Sequence, residues 1–98
     1  DHYVTKIDNG DWIKVREVEF GASGPKELCL EVLNFQNPAT VEFYADAMGG
    51  RPFAAVEVKD NGSFRVPAAG NVSGRHDVYI LFRGGDGQFF DFDWWQVK

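Results

Sequence analysis

The chain has 98 residues, 44% hydrophobic and 15% aromatic, which excludes a disordered segment and suits one small domain with a single core. Ten basic against fifteen acidic side chains give a formal charge of −5, which speaks against nucleic acid, because phosphate binding needs a concentrated basic surface. No run approaches the ~20 apolar residues of a membrane-spanning helix, and no opening segment resembles a signal peptide.

The start, Asp1-His2-Tyr3, is what a mature or excised piece of a longer protein would show. Asp8-Asn9-Gly10-Asp11 is a turn signal, since Asn-Gly reaches positive φ at little cost. Residues 12–20 follow as a strand whose apolar phase changes between Val15 and Val18, the mark of a β-bulge or of a strand crossing between sheets. Gly21 to Pro25 ends it. Residues 28–35 fit two patterns: Leu28, Cys29, Val32 and Leu33 recur at helical spacing, while Leu28, Leu30 and Val32 alternate. The short length favours strand. Cys29, the single cysteine, excludes an internal disulfide and a CxxC metal site, and reads as a small buried apolar residue.

Val41, Phe43 and Ala45 alternate with polar neighbours, and so do Ala54, Val56 and Val58. Met48 to Pro52 turns the chain between them; Asp60-Asn61-Gly62 turns it again before a short run at 63–66. Residues 67–74 form a loop of small residues. The last third holds two apolar runs, 78–82 and 89–97, around Gly84-Gly85-Asp86-Gly87, which predicts a closing β-hairpin. Six or seven short strands with regular turns and no linker indicate a single all-β domain, an antiparallel β-sandwich.

Catalysis has little support. His2 and His76 are the only histidines, no Ser or Cys sits in a nucleophile motif, and spacing selects no carboxylate pair among Asp11, Asp46, Asp77, Asp91 and Asp93. Asp91 and Asp93, set among Phe90, Phe92, Trp94 and Trp95, need backbone N–H groups, a cation or a ligand as partners, because burying an unpaired polar group costs roughly 2–7 kcal/mol and a charge more. A hard cation such as Ca²⁺ suits such oxygens, and hydrogen bonding or solvent suits them equally well. No His/Cys cluster points to zinc. Flat aromatics beside amides or carboxylates could also hold a sugar. The candidates are Tyr3, Trp12, Phe64, Trp94 and Trp95 near Asn9, Asn61, Asn71 or Asp91, although most aromatics in so small a domain must serve the core.

Three segments taken together resemble family 6 carbohydrate-binding modules: Ile7-Asp8-Asn9-Gly10-Asp11-Trp12-Ile13 leading to Val18-Glu19-Phe20-Gly21, then Val41-Glu42-Phe43, then residues 74–97 with Phe90-Asp91-Phe92-Asp93-Trp94-Trp95. Family 36 is a less close match. The resemblance implies a jelly-roll β-sandwich carried by secreted glycoside hydrolases acting on xylan, other β-glucans or agar-like polymers. It implies a structural Ca²⁺ held partly by Asp93, and a sugar site on the loops at one end, with Asp91 at an asparagine position and Phe64 at an aromatic one. This chain departs from the pattern at three places. Lys6 stands where a second aromatic is expected, with Tyr3 close by; Phe64 replaces the more usual tryptophan; and Asp91 keeps an acceptor but loses an N–H₂ donor. The acidic strand that supplies further Ca²⁺ ligands in the family is not found before the matched region.

The expectation is therefore a non-catalytic, extracellular or periplasmic module that targets an attached hydrolase to a plant or algal polysaccharide of xylan or β-glucan type. Tyr3, Asp8, Asn9, Phe64 and Asp91 are its ligand-binding residues and Asp93 its metal ligand. The glycan and the catalytic domain of the same parent enzyme are the expected partners, with no nucleic acid and no membrane. The alternative is a structural spacer or docking sandwich with a decayed sugar site. A hydrolase in its own right is a third reading.

Overall fold

The computed structural model describes residues 2–4, 7–68 and 72–97. Eight strands run in chain order: β1 (His2–Val4), β2 (Trp12–Glu19), β3 (Glu27–Leu33), β4 (Ala39–Ala45), β5 (Ala54–Val58), β6 (Gly62–Pro67), β7 (Arg75–Gly84) and β8 (Asp91–Val97). They form two four-stranded sheets of order β1-β8-β3-β6 and β2-β7-β4-β5, with every pairing antiparallel. Chain neighbours thus alternate between facing sheets except β4 and β5, which form a hairpin in the second sheet, and this crossing between layers is the wiring of a jelly roll.

Each strand turns one apolar row inward. Leu28, Leu30 and Val32 of β3 and Phe92 and Trp94 of β8 face Val41 and Phe43 of β4 and Val78, Ile80 and Phe82 of β7, all buried. The sheets meet through edge-to-face rings, Phe82 on Phe92 and Phe43 on Trp94, each with centroids 5.4 Å apart. The 28–35 segment is strand, as its alternation predicted. The phase change in β2 is a bulge: the register slips between Val15 and Val18, and Glu17 takes φ 52° within the slip.

The closing hairpin is corrected. β7 pairs with β2 and β4, and β8 pairs with β1 and β3, so the two runs lie in opposite sheets. Both runs carry a fully buried face, and opposite sheets let those faces pack on one another, as Phe82 does on Phe92. Phe89 and Phe90 do not extend β8. They are buried in the connection, where Phe89 donates its N–H to the Ile7 carbonyl at 2.8 Å and accepts at its own carbonyl from Gln36 and Asn37. β1 went unforeseen because three residues hold too little pattern to read.

At the end of the sandwich holding the β2–β3, β4–β5 and β6–β7 loops, His76 acts as a clasp. Its Nδ1 lies 2.8 Å from Asp46 Oδ2 and its Nε2 lies 2.6 Å from the Ser73 carbonyl oxygen. Both partners are acceptors, an arrangement that favours the doubly protonated ring, with both nitrogens donating. The bond to Asp46 outweighs burial, and with Ser73 adding, the His76 pKa is raised above 6.5. Asp77, in the same shallow pocket with Glu17 and Arg75, is shifted down, first by the backbone N–H of Glu17 and then by Lys14. The His76 contribution is complete below the ordinary imidazole value and disappears as pH rises through the raised one. The Asp77 contribution is complete above the ordinary carboxylate value and disappears as pH falls through the lowered one. Thermal melts of the wild type should therefore lose stability as pH rises through and above the imidazole range. His76→Gln should remove that slope, and an identical slope in the variant would show that the clasp is not its source.

Candidate functional site

The strand directions gather four loops, β1–β2, β3–β4, β5–β6 and β7–β8, at the other end. The turn at residues 8–11 is docked on β7. Gly10 N–H donates to the Phe82 carbonyl at 2.8 Å, Phe82 N–H donates to the Asp11 carbonyl at 3.0 Å, and Gly84 N–H donates to Asn9 Oδ1 at 2.9 Å. Within the turn, Asp8 N–H donates to Asp11 Oδ2 at 2.8 Å, leaving the Asp8 side chain exposed at the rim. Asn9 thus has its carboxamide oxygen engaged in holding the turn to β7.

Two more asparagines stitch neighbouring loops. Asn61 Oδ1 accepts from the Phe35 N–H at 2.9 Å, and Asn37 Nδ2 donates to the Gln88 carbonyl at 2.6 Å. Phe35 lies parallel to Phe90, with centroids 6.2 Å apart and planes 8° from parallel. Asp91 opens β8 opposite Leu33, and its Oδ2 accepts from Asn34 Nδ2 at 2.8 Å. Asn34 was not singled out by sequence reading; the signal that finds it is a register partner, Leu33, which only the folded sheet reveals.

Phe64 sits on edge strand β6 opposite Leu30, which turns it to the inner face, where it packs half-buried against the core. It stands two strands from Asp91 and further from the loop tips than Gly62, the first residue of β6. Asp93 lies mid-strand on the outer face of the first sheet, with Glu31 and Tyr3 as register partners. Tyr3 is described through its backbone, and Lys6 and Asn71 lie outside the described residues. Trp94 is core at 1% exposure, whereas Trp95 faces outward.

A second aromatic surface adjoins this end. Trp12, the first residue of β2, is 52% exposed on the outer face of the second sheet, with the Tyr79 ring 6.0 Å away. Lys14 Nζ stands 5.4 Å from the centre of the Tyr79 ring. Beside them Arg83 Nε donates to Glu42 Oε1 at 2.8 Å, and Tyr44 donates its hydroxyl to the same oxygen at 3.0 Å. Burial first, then that bond to Glu42, raises the Tyr44 pKa and keeps the phenol protonated as a donor. A shallow cavity of about 250 Å³ bordered by Thr40, Glu57, Arg83 and Gly84 continues the surface. Aromatic faces next to paired donors and acceptors suit pyranose rings, whose C–H faces stack and whose hydroxyls both give and accept.

Fold and surface together define a glycan-binding β-sandwich. The family model for carbohydrate-binding module family 6 matches residues 1–98, and the chain belongs to that family: it is a non-catalytic carbohydrate-binding module. Arabinoxylan arabinofuranohydrolase of Bacillus subtilis (strain 168) is 31% identical over 102 residues, covering 98% of this chain and 20% of that protein. The enzyme of the same name from Paenibacillus polymyxa is 30% identical over 99 residues, covering 95% of this chain and 15% of its own length. The module thus spans a fifth or less of the curated relatives it matches. Among solved structures, a glycoside hydrolase family 43 arabinoxylan arabinofuranohydrolase from Bacillus subtilis, in complex with cellotetraose, superposes with TM-score 0.85 at 30% identity, over 98% of this chain and 21% of that one. A family 6 module from Clostridium cellulolyticum, in complex with xylose, shares the fold with TM-score 0.76 at 24% identity, over 94% and 75% of the two chains.

Proposed function

We propose that this module holds a xylan-type polysaccharide next to a catalytic domain carried on the same polypeptide, and that the protein works outside the cytoplasm, where such polymers are met. The observation that carries the reading is convergence: Asp8, Asn34, Asn61 and Asp91 come from different loops to one end of the sandwich. Asp8, Asp91 and the Asn34 amide supply polar groups for sugar hydroxyls, Tyr3 and the part of the Phe64 ring that the core leaves uncovered supply the apolar part, and Asn9 and Asn61 keep the loops in place. Identity to arabinoxylan-acting enzymes supports the xylan class. Affinity is modest, because a shallow, solvated site buries little area.

A second reading is favoured by the 52% exposure of Trp12, the most exposed large apolar side chain among the described residues. Here the glycan lies across Trp12 and Tyr79 instead. Affinity electrophoresis in gels containing soluble arabinoxylan separates the two. Asp91→Ala should lose retardation with Trp12→Ala retarded like wild type; the reverse pattern moves the site to the sheet face. Phe64→Ala should lose both retardation and melting temperature, because its ring packs against the core. A wild type unretarded by any xylan or β-glucan would overturn the proposal and favour a spacer or docking role.

A Ca²⁺ at Asp93 belongs to the same proposal. Its register partner Glu31 is a second carboxylate on that face, which makes two oxygen-bearing side chains where Ca²⁺ takes about six to eight oxygens. No group of three or more His, Cys, Asp or Glu forms among the described residues, so backbone carbonyls, water or residues beyond those described must complete the shell. The expected result is a melting temperature lowered by EDTA and restored by Ca²⁺. An unchanged melt in Ca²⁺-free buffer would remove the cation from the account.

A further inference from the structure

The geometry points to Asn34 as a ligand-contacting residue of the end site, its amide aimed by Asp91 so that the pair presents a donor beside an acceptor to sugar hydroxyls. This rests on the reading that the loop end binds glycan. An ionised Asp91 only accepts, so the 2.8 Å contact fixes Asn34 with Nδ2 toward the carboxylate and Oδ1 away from it. The amide has a second N–H, and the side chain carrying it is exposed. A sugar hydroxyl gives one hydrogen bond and accepts others, so a donor and an acceptor held at fixed separation can bind adjacent hydroxyls together.

Two observations separate Asn34 from the other asparagines at this end. Asn9, Asn37 and Asn61 bond backbone groups of neighbouring loops at Gly84, Gln88 and Phe35, which accounts for them structurally. The Asn34 side chain instead bonds only another side chain among the described residues. Asn34 also takes φ 52°, a left-handed conformation that glycine adopts more readily than any residue with a Cβ. Asparagine is among the few residues with a Cβ that adopt it routinely, so Asn34→Gly removes the amide without straining the backbone. At this end of the sandwich, the amide donor that position 91 lacks stands across the strand register, at the start of the β3–β4 loop.

The test is calorimetric titration of the whole module with xylohexaose. Asn34→Gly should keep or raise the melting temperature while weakening binding about tenfold, the equivalent of one lost hydrogen bond. Asn34→Asp sets two carboxylates face to face and should weaken binding at least as much. The exchanged pair, Asn34→Asp with Asp91→Asn, rebuilds the bond in the opposite direction and should recover affinity to within about threefold of wild type. Wild-type affinity in Asn34→Gly beside a weakened Asp91→Ala would overturn the role of Asn34 alone, and so would an exchanged pair no better than Asn34→Asp. Undiminished binding by Asp91→Ala, or a wild type that binds no xylohexaose, would overturn the end site and this inference together.

Discussion

Replacing Gly24 by alanine should lower the melting temperature by at least about 12 °C, taking about 3 kcal/mol at 4–8 °C per kcal/mol for a domain of this size. Two effects add. Gly24 sits at φ 75°, where a residue with a Cβ loses roughly 1–2 kcal/mol. A Cβ there would collide with the Val72 carbonyl oxygen, a backbone atom that cannot swing aside. The β2–β3 loop and residues 72–74 would have to part. That contact is braced by Phe20 N–H donating to the Gly74 carbonyl and Gly74 N–H donating to the Gly21 carbonyl, both at 2.8 Å. Parting them disturbs Phe20, which is fully buried with its ring edge-on to Phe53. Gly24 lies at the end opposite Asp91, so the folded fraction should bind glycan as the wild type does. Scanning fluorimetry checks the first half and titration the second; a melt within about 3 °C of wild type would mean that the two loops separate easily.

Asp91→Ala should weaken binding to xylo-oligosaccharides by about 10- to 100-fold with a melting temperature within about 3 °C of wild type. Hydrogen bonds to charged groups contribute about 1.5–3 kcal/mol, and each 1.4 kcal/mol is a factor of ten in affinity. The side chain is half-buried at the first position of β8 on the outward row, away from Phe92 and Trp94, so its removal leaves no cavity in the core. Asn34, whose amide N–H it accepts, is exposed and turns to water. Loss of stability without loss of affinity would make the Asn34–Asp91 bond a structural strut.

Asn61 could be picked from the linear chain because turn chemistry marks it, and Asp91 through the resemblance of the closing segment to family 6 modules. Asn34 could not, since its role depends on the pairing of Leu33 with Asp91, residues far apart in sequence. Alternation made most strands legible and separated core Phe92 and Trp94 from outward Asp91 and Asp93. It could not assign strands to sheets. The glycines at 84, 85 and 87 look like a hairpin turn, yet the chain crosses the sandwich there, because burial of Phe89 and Phe90 outweighs local turn preference. Trp12 was a candidate by type, but Tyr79, Arg83 and Glu42 joined it only once β2, β7 and β4 lay side by side.

Whether the loop end of this sandwich holds xylan-type glycan is decided by calorimetric titration of wild type and Asp91→Ala with a panel of xylo- and cello-oligosaccharides. The wild type should bind xylo-oligosaccharides saturably, and Asp91→Ala should lose that binding or show it strongly weakened. No binding to any member of the panel, or equal binding by both proteins, would rule out glycan binding through the loop end.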